Sequence, residues 1–188
     1  METIIDTNQQ NMNASPFKTA LKWGIIGALL GIVQTLADFI MNDSKISQEG
    51  GWIKMLISTA VAIFTIVMCI KEHRDKNNEG FIYFGKAFKV GFGASLIAVT
   101  LMTVFIYIYY TFIIDFDLMM SEGMSKSIEK MRQSGMSEPE ISKGLEVSKK
   151  FMTVGFSTGM VFVFGLIFDT IITLICAAIL KKDPPQYA

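Results

Sequence analysis

Residues 156–180, FSTGMVFVFGLIFDTIITLICAAIL, contain one charged side chain, Asp169, in an otherwise largely apolar run. A helix of about 20 mostly apolar residues is long enough to cross the hydrocarbon core of a bilayer. Three further segments meet this criterion, at residues 23–41, 53–70 and 90–114. The chain is therefore predicted to be an all-α integral membrane protein with four transmembrane helices.

The overall composition agrees with a membrane protein. Apolar residues make up 51% of the chain and charged residues only 18%, against about 25% charged residues in soluble domains. Lys and Arg number 17 and Asp and Glu also number 17, so the basic excess of a nucleic-acid-binding protein is missing. One histidine and two cysteines argue against a zinc site or a disulfide scaffold. We expect no nucleic-acid partner and no cofactor.

The chain divides by composition into three parts. Residues 1–18 are expected to be a flexible polar tail, residues 19–182 the four-helix transmembrane domain, and residues 183–188 a short C-terminal tail. The first span is expected to remain as an anchor. Its apolar run of about 19 residues exceeds the 7–15 residues of a signal-peptide core, and no basic residue precedes Lys18.

Basic residues at the span ends bear on orientation. With four spans, both termini and the 71–89 loop lie on one side of the membrane, and that side carries nine Lys and Arg residues against eight on the other. The totals decide little, but the first span starts with Lys18 and Lys22, and KEHRDK and KK follow spans two and four. These flanks favour cytoplasmic N- and C-termini under the positive-inside rule.

The longest loop, at residues 115–150, has helical character of its own. Apolar residues recur in it at helical spacing: Met120, Met124, Ile128 and Met131. Gly135 is a stop signal, and Ser137 with Glu140 forms a capping-box pattern that opens a second helix leading into span four. We predict an extra-cytoplasmic helical hairpin. Its methionine stripe either packs one arm on the other or on the membrane surface, or lines a partner-binding groove, since methionine adapts to irregular surfaces.

Asp169 is the most distinctive polar residue in the spans. It lies eleven residues before Leu180, about 17 Å along a helix and so near the bilayer midplane. An acid at this depth costs about 2.5–3.5 kcal/mol on insertion scales and is expected to face the bundle interior. Three other polar residues reach a similar depth: Gln34, Thr59 and Ser95. We predict that these four form one polar layer, which serves either as hydrogen-bonded packing or as a proton or cation relay.

Other polar residues are predicted to lie at the membrane surfaces. Asp38, near the outer end of span one, either reaches water or pairs with Lys54 at the outer start of span two. Four basic residues flank the aromatic segment at 81–88 and are expected to anchor lipid headgroups: Lys71, Arg74, Lys86 and Lys89. His73 is expected to be solvated and without a function.

Three stretches together resemble a family of uncharacterised bacterial membrane proteins with four spans, labelled a domain of unknown function. They are GFIYFGKAFKVGF at 80–92, GMSEPEISKGLEVSKKFM at 135–152 and AAILKKDPP at 177–185. The resemblance extends over about residues 19–185. It implies a multi-pass protein of the bacterial inner membrane and brings no catalytic or binding residues with it.

No nucleophile–base arrangement, HExxH motif or phosphate-binding loop occurs in the sequence. We therefore expect a non-enzymatic accessory or scaffold protein that associates with lipids and with a membrane-protein partner or a second copy of itself. The alternative is a small oligomeric transporter or channel component that uses Asp169 as a proton- or cation-linked group.

Overall fold

The computed structural model describes residues 15–41 and 51–183, which form six helices and no strand. The helices are α1 (Pro16–Met41), α2 (Gly51–Asn77), α3 (Phe84–Phe112), α4 (Phe116–Gln133), α5 (Glu138–Phe151) and α6 (Val154–Leu180). Helices α1, α2, α3 and α6 are long and apolar enough to cross a membrane. This confirms the all-α fold class with four spans.

The first helix begins earlier than the apolar run that predicts it. Helix α1 starts at Pro16, a residue favoured at the first helical position because its missing N–H needs no partner there. Residues 16–18 are thus helical rather than part of a tail. The rest of the predicted N-terminal tail, residues 1–14, lies outside the described residues, as do residues 184–188 of the C-terminal tail.

The described residues form two compact units, one within residues 15–41, 51–102 and 164–183, and the other within residues 103–163. In the first unit, helices α2 and α3 contribute to two buried clusters. One cluster joins them to α1 through residues that include Ala20, Trp23 and Ala94. The other joins them to α6 through residues that include Ile70 and Ala177. Helices α2 and α3 therefore provide the shared core against which α1 and the second half of α6 pack.

Glycine permits a close contact between α1 and α3 at position 24. A Cβ atom built on Gly24 would lie 2.7 Å from Cβ of Ile97 and 2.8 Å from the carbonyl oxygen of Ala94. Contacts this short require a residue without a side chain, which is how small residues bring membrane helices together. Gly24 thus sets the distance between these two helices.

The second unit contains the two helices of the long loop. Helix α4 is capped by Asp115, whose Oδ1 accepts from the Leu118 N–H at 3.0 Å. Gly135, in the intervening turn, has a φ of +80°, which favours glycine. Glu140 reaches back, as the capping box predicts, and accepts from the backbone N–H of Ser137 at 2.9 Å. Both predicted helices are present.

The predicted continuity of the second loop helix with span four is wrong. Helix α5 ends at Phe151, and α6 begins at Val154 after two non-helical residues. Thr153 explains the break, because its Oγ1 accepts from the backbone N–H of Phe156 at 3.2 Å and so caps a new helix. Met152 therefore lies in the connection and does not extend an apolar stripe of α5.

Candidate functional site

The four polar residues predicted to form one layer lie in separate hydrogen-bonding groups. Ser95 is buried and its hydroxyl lies 3.3 Å from Oγ1 of Thr173, on α6. Gln34 donates to the Ser58 hydroxyl at 2.9 Å and to the Lys54 carbonyl at 3.3 Å. Within the described residues, Gln34 and Ser95 thus take different hydrogen-bond partners, and no hydrogen bond links either of them to Asp169.

Thr59 does not reach another helix through a hydrogen bond. Its hydroxyl donates to the carbonyl of Met55 at 2.7 Å, within α2. Equal distance from the span ends predicts equal depth, but the rotation of each helix about its own axis decides which side chains meet. Among the described residues, no hydrogen bond joins Thr59 to the other three, and their common layer stays a prediction.

Asp169 is half-buried on α6, on the stripe that also carries the buried residues Ile172, Thr173 and Cys176. Among residues 15–41 and 51–183, no hydrogen bond or ion pair reaches its carboxyl group. Acidic side chains within a membrane normally pair with another group or line a hydrated cavity. Within these residues, span four therefore holds an acid without a hydrogen-bond or ion-pair partner.

The predicted interaction between the outer ends of spans one and two is present as an ion pair. Nζ of Lys54 lies 2.7 Å from Oδ2 of Asp38, and both side chains are about one-third exposed. The Lys54 carbonyl also accepts from Gln34. Spans one and two are thus connected by a polar seam in this region.

The methionine stripe lies on one face of α4, where all four of its members are half-buried: Met120, Met124, Ile128 and Met131. A groove of about 370 Å³ is lined by apolar residues of both loop helices, among them Ile128, Ile141 and Leu145. Charged groups line it too, including Glu138 and Lys149. Of the stripe, only Ile128 lines the groove.

An ion pair at the turn between α4 and α5 lies beside this groove. Nε of Arg132 is 2.8 Å from Oε1 of Glu138. The guanidinium holds the pKa of Glu138 below its ordinary value of 4.5, and Glu138 in turn raises the pKa of Arg132. The pKa of Glu140 is also lowered, by hydrogen bonds from the side chain and backbone of Ser137. Carboxylates therefore stabilise both the turn and the start of α5.

The four predicted headgroup anchors separate into two kinds. Arg74 pairs with Asp75 at 2.7 Å, and Lys86 donates to the side chain of Asn78. Lys71 and Lys89 are exposed. Arg74 and Lys86 thus support the fold, while Lys71 and Lys89 are available at the surface.

The expectation that His73 is solvated is wrong. Its side chain is fully buried, not solvated. Nδ1 lies 3.2 Å from Nδ2 of Asn77 and 3.4 Å from the hydroxyl of Thr19, and Asn77 also donates to Thr19 at 3.2 Å. The ring Nε2 is buried without a hydrogen-bond partner within the described residues. This network connects α1 to the charged end of α2.

A spacing signal for the burial of His73 is present in the sequence. Residues Thr65, Cys69 and His73 follow at intervals of four, and all three are buried. Side chains at that interval share one helix face. Because His73 lies among the charged residues of KEHRDK, the sequence around it favours exposure, although its spacing from Cys69 continues the buried face.

The comparisons with known proteins give a family but no activity. The sequence model of a family described as "Protein of unknown function (DUF4199)" matches residues 22–182. No curated protein matches the chain. No solved structure matches it either. Since the match covers most of the chain, the protein belongs to this family, which agrees with the resemblance found in the sequence.

Proposed function

Because membership in this family assigns no activity, we propose a function from the geometry: a non-enzymatic accessory or scaffold protein of the bacterial cytoplasmic membrane. Helices α4 and α5 are its contact surface for another envelope protein. The observation that supports this is the groove lined by Ile128, Ile141 and Leu145. It lies on helices that are much less apolar than the four spans.

The chemistry of the groove suits a protein partner. Apolar lining residues supply surface that gains free energy when water is removed, and the charged residues Arg132 and Lys149 provide orientation at the edge of a contact. Methionines on the same face of α4 allow the surface to adapt to a partner's shape. Glu138 and Glu146 line the groove as well, so a partner segment with apolar side chains and charges of both signs fits this pattern.

The proposed topology follows the basic residues at the span ends. Lys18 and Lys22 precede the first apolar run, and Lys181 and Lys182 follow the fourth. Under the positive-inside rule these flanks place both termini in the cytoplasm. Helices α4 and α5 then form a hairpin outside the cytoplasm, where they meet envelope proteins.

A matched pair of substitutions tests the contact surface. Ser142 is exposed and lines the groove, whereas Ser125 is exposed on α4 and does not line it. We expect Ser142→Arg to abolish co-purification of a stoichiometric partner from native membranes, because the long charged side chain fills the groove. Ser125→Arg adds the same side chain and is expected to retain the partner. Equal recovery with both variants, or no partner with the unsubstituted protein, contradicts the proposal.

Asp169 supports a second candidate function, a small oligomeric transporter or channel component. Its carboxyl group has no hydrogen bond or ion pair within the described part of the chain, although it lies in span four. An intramembrane acid in this condition is suited to bind and release a proton or a cation. Four helices enclose little lumen, so we infer that this function requires several copies of the chain.

A flux measurement distinguishes this candidate from the first. We expect Asp169→Asn to abolish proton or cation flux in liposomes while leaving partner co-purification intact. Thr170→Val is the neighbouring control, because the Thr170 hydroxyl only donates to the carbonyl of Leu166 in its own helix, at 2.6 Å. Flux that is absent from the unsubstituted protein, or unchanged in Asp169→Asn, rejects the transport function.

A further inference from the structure

One end of the first unit has a strong excess of positive charge. Residues 15–22, 71–89 and 181–183 together carry nine Lys and Arg residues and four Asp and Glu residues. By contrast, residues 115–150 carry six basic and seven acidic residues. The net charge of the whole chain is zero. The excess of positive charge is therefore confined to these three segments and is balanced elsewhere in the chain.

Several of these basic residues are already engaged within the fold. Lys22 and Lys76 both pair with Glu72, at 2.8 and 3.3 Å. Arg74 pairs with Asp75. Lys71 and Lys181 are exposed, and neither has an ion pair among the residues that the structure describes. Internal pairing therefore leaves lysines unneutralised at the ends of α2 and α6.

Direct contacts join the end of α2, the loop that follows it and the end of α6, the segments that carry these lysines. Arg74 donates to the carbonyl of Leu180, the last residue of α6, at 3.4 Å. Ile82 and Lys182 exchange two backbone hydrogen bonds of 2.9 Å each. Lys71 and Lys182 both act electrostatically on the carboxylate of Asp75. The ends of α2 and α6 and the intervening loop are thus joined by direct contacts, and each carries basic residues.

Aromatic side chains accompany the lysines in this loop. Nζ of Lys182 lies 5.3 Å from the ring centroid of Phe81. Tyr83 and Phe84 follow and are 59% and 41% exposed. Exposed aromatic rings beside lysines at the end of an apolar helix are typical of the headgroup layer of a bilayer. We therefore expect these lysines to lie at the depth of lipid phosphates.

We propose that Lys71, Lys181 and Lys182 form a binding site for the headgroup of an anionic phospholipid. Their ammonium groups donate to the lipid phosphate, and Tyr83 and Phe84 pack against the glycerol and upper acyl region of the same lipid. The site belongs to the leaflet at the charged end of the spans. It does not depend on the groove of α4 and α5 or on the chemistry of Asp169.

Native mass spectrometry of the purified full-length protein tests the site with phosphatidylglycerol and phosphatidylcholine as the two probes. We expect the protein to retain phosphatidylglycerol preferentially, with each lysine contributing about fivefold to the preference. The variant Lys71→Gln with Lys181→Gln and Lys182→Gln is expected to lose the preference. The control Lys126→Gln with Lys130→Gln and Lys143→Gln removes three exposed lysines of α4 and α5 and is expected to keep it.

Each other outcome overturns the proposal. An unchanged preference in the Lys71, Lys181 and Lys182 variant excludes these lysines, as does an equal loss in the control. If sodium phosphate displaces the lipid more strongly than sodium chloride at the same ionic strength, the site recognises free phosphate instead. If the triple variant loses its helical circular dichroism, the single change Lys181→Gln at an exposed position is tested instead. We then expect the preference for phosphatidylglycerol over phosphatidylcholine to fall about fivefold. An unchanged preference contradicts the site.

Discussion

The indole Nε1–H of Trp23 donates a hydrogen bond of 2.7 Å to the carboxylate of Glu72. Lys22, the neighbour of Trp23 on α1, pairs with the same carboxylate at 2.8 Å. Trp23 is buried in the cluster that joins α1 to α2 and α3. Glu72, which follows the apolar part of α2, therefore connects the start of the first span to the end of the second through two side chains of α1.

Removal of this acid is expected to loosen α1. Glu72→Ala deprives Trp23 and Lys22 of their partner, and we expect a loss of about 1.5–3 kcal/mol in the free energy of unfolding, the usual contribution of hydrogen bonds to a charged group. The chain has two tryptophans. In a Trp52→Phe background, acrylamide quenching of Trp23 is expected to increase in the Glu72→Ala variant. Glu122→Ala, at an exposed position on α4, is the control and is expected to change neither quantity.

Thr19 and Asn77 are expected to be energetically coupled through His73. Each contacts Nδ1 of the buried imidazole, and they also contact each other. In a double-mutant cycle with Thr19→Val and Asn77→Ala, we expect a coupling energy of about 0.5–3 kcal/mol, as found for residues in one hydrogen-bond network. Unfolding in mild detergent measures the four free energies. Strict additivity contradicts a shared network.

Substitution of Gly24 is expected to separate α1 from α3. The added methyl group of Gly24→Ala meets Ile97 and the Ala94 carbonyl at under 3.0 Å, so we expect a loss of about 1–3 kcal/mol from overpacking. Gly159→Ala is the control, because no atom of the described residues lies within 4 Å of the added group. Alanine favours a helix over glycine, so this variant is expected to be neutral or more stable. Thermal unfolding of both variants in the same detergent gives the comparison.

The turn between α4 and α5 is expected to weaken in acid. Because Arg132 lowers the folded-state pKa of Glu138 below 4.5, the ion pair stabilises the turn fully above that pH, and its contribution is lost as the pH falls through the lowered pKa. Hydrogen exchange of residues 133–138, corrected for intrinsic rates, is expected to rise below pH 4.5. Glu138→Gln is expected to show fast exchange already at pH 6, whereas Glu122→Gln should follow the unsubstituted protein. A turn whose exchange is independent of pH contradicts this assignment.

Local patterns accounted for the elements of the fold. Long apolar runs predicted α1, α2, α3 and α6, and capping chemistry at Ser137 and Glu140 predicted the start of α5. The ion pair of Asp38 and Lys54 is one of the two alternatives that the sequence left open for Asp38. These predictions succeeded because each depends on residues close in sequence or on charges with few alternative partners.

The polar interior was not predictable in the same way. Gln34 and Ser95 were predicted to share one layer, yet their hydrogen-bond partners are Ser58 and Thr173. Depth follows from the rise per residue along a helix, whereas pairing depends on the rotation of each helix and on which helices adjoin. The distance of a residue from the end of its span predicts neither the rotation of the helix nor its neighbours.

By itself the sequence determined that this protein has four apolar spans with two further helices between the third and the fourth, because apolar length and capping act locally. Only the tertiary structure decided that His73 is buried beside Thr19, that Asp169 has no partner within the described residues, and that the backbone of Lys182 pairs with that of Ile82. The physical reason is that hydrogen bonds and ion pairs act over a few ångström. Helix packing, rather than sequence separation, brings residues such as Thr19 and His73 within that distance.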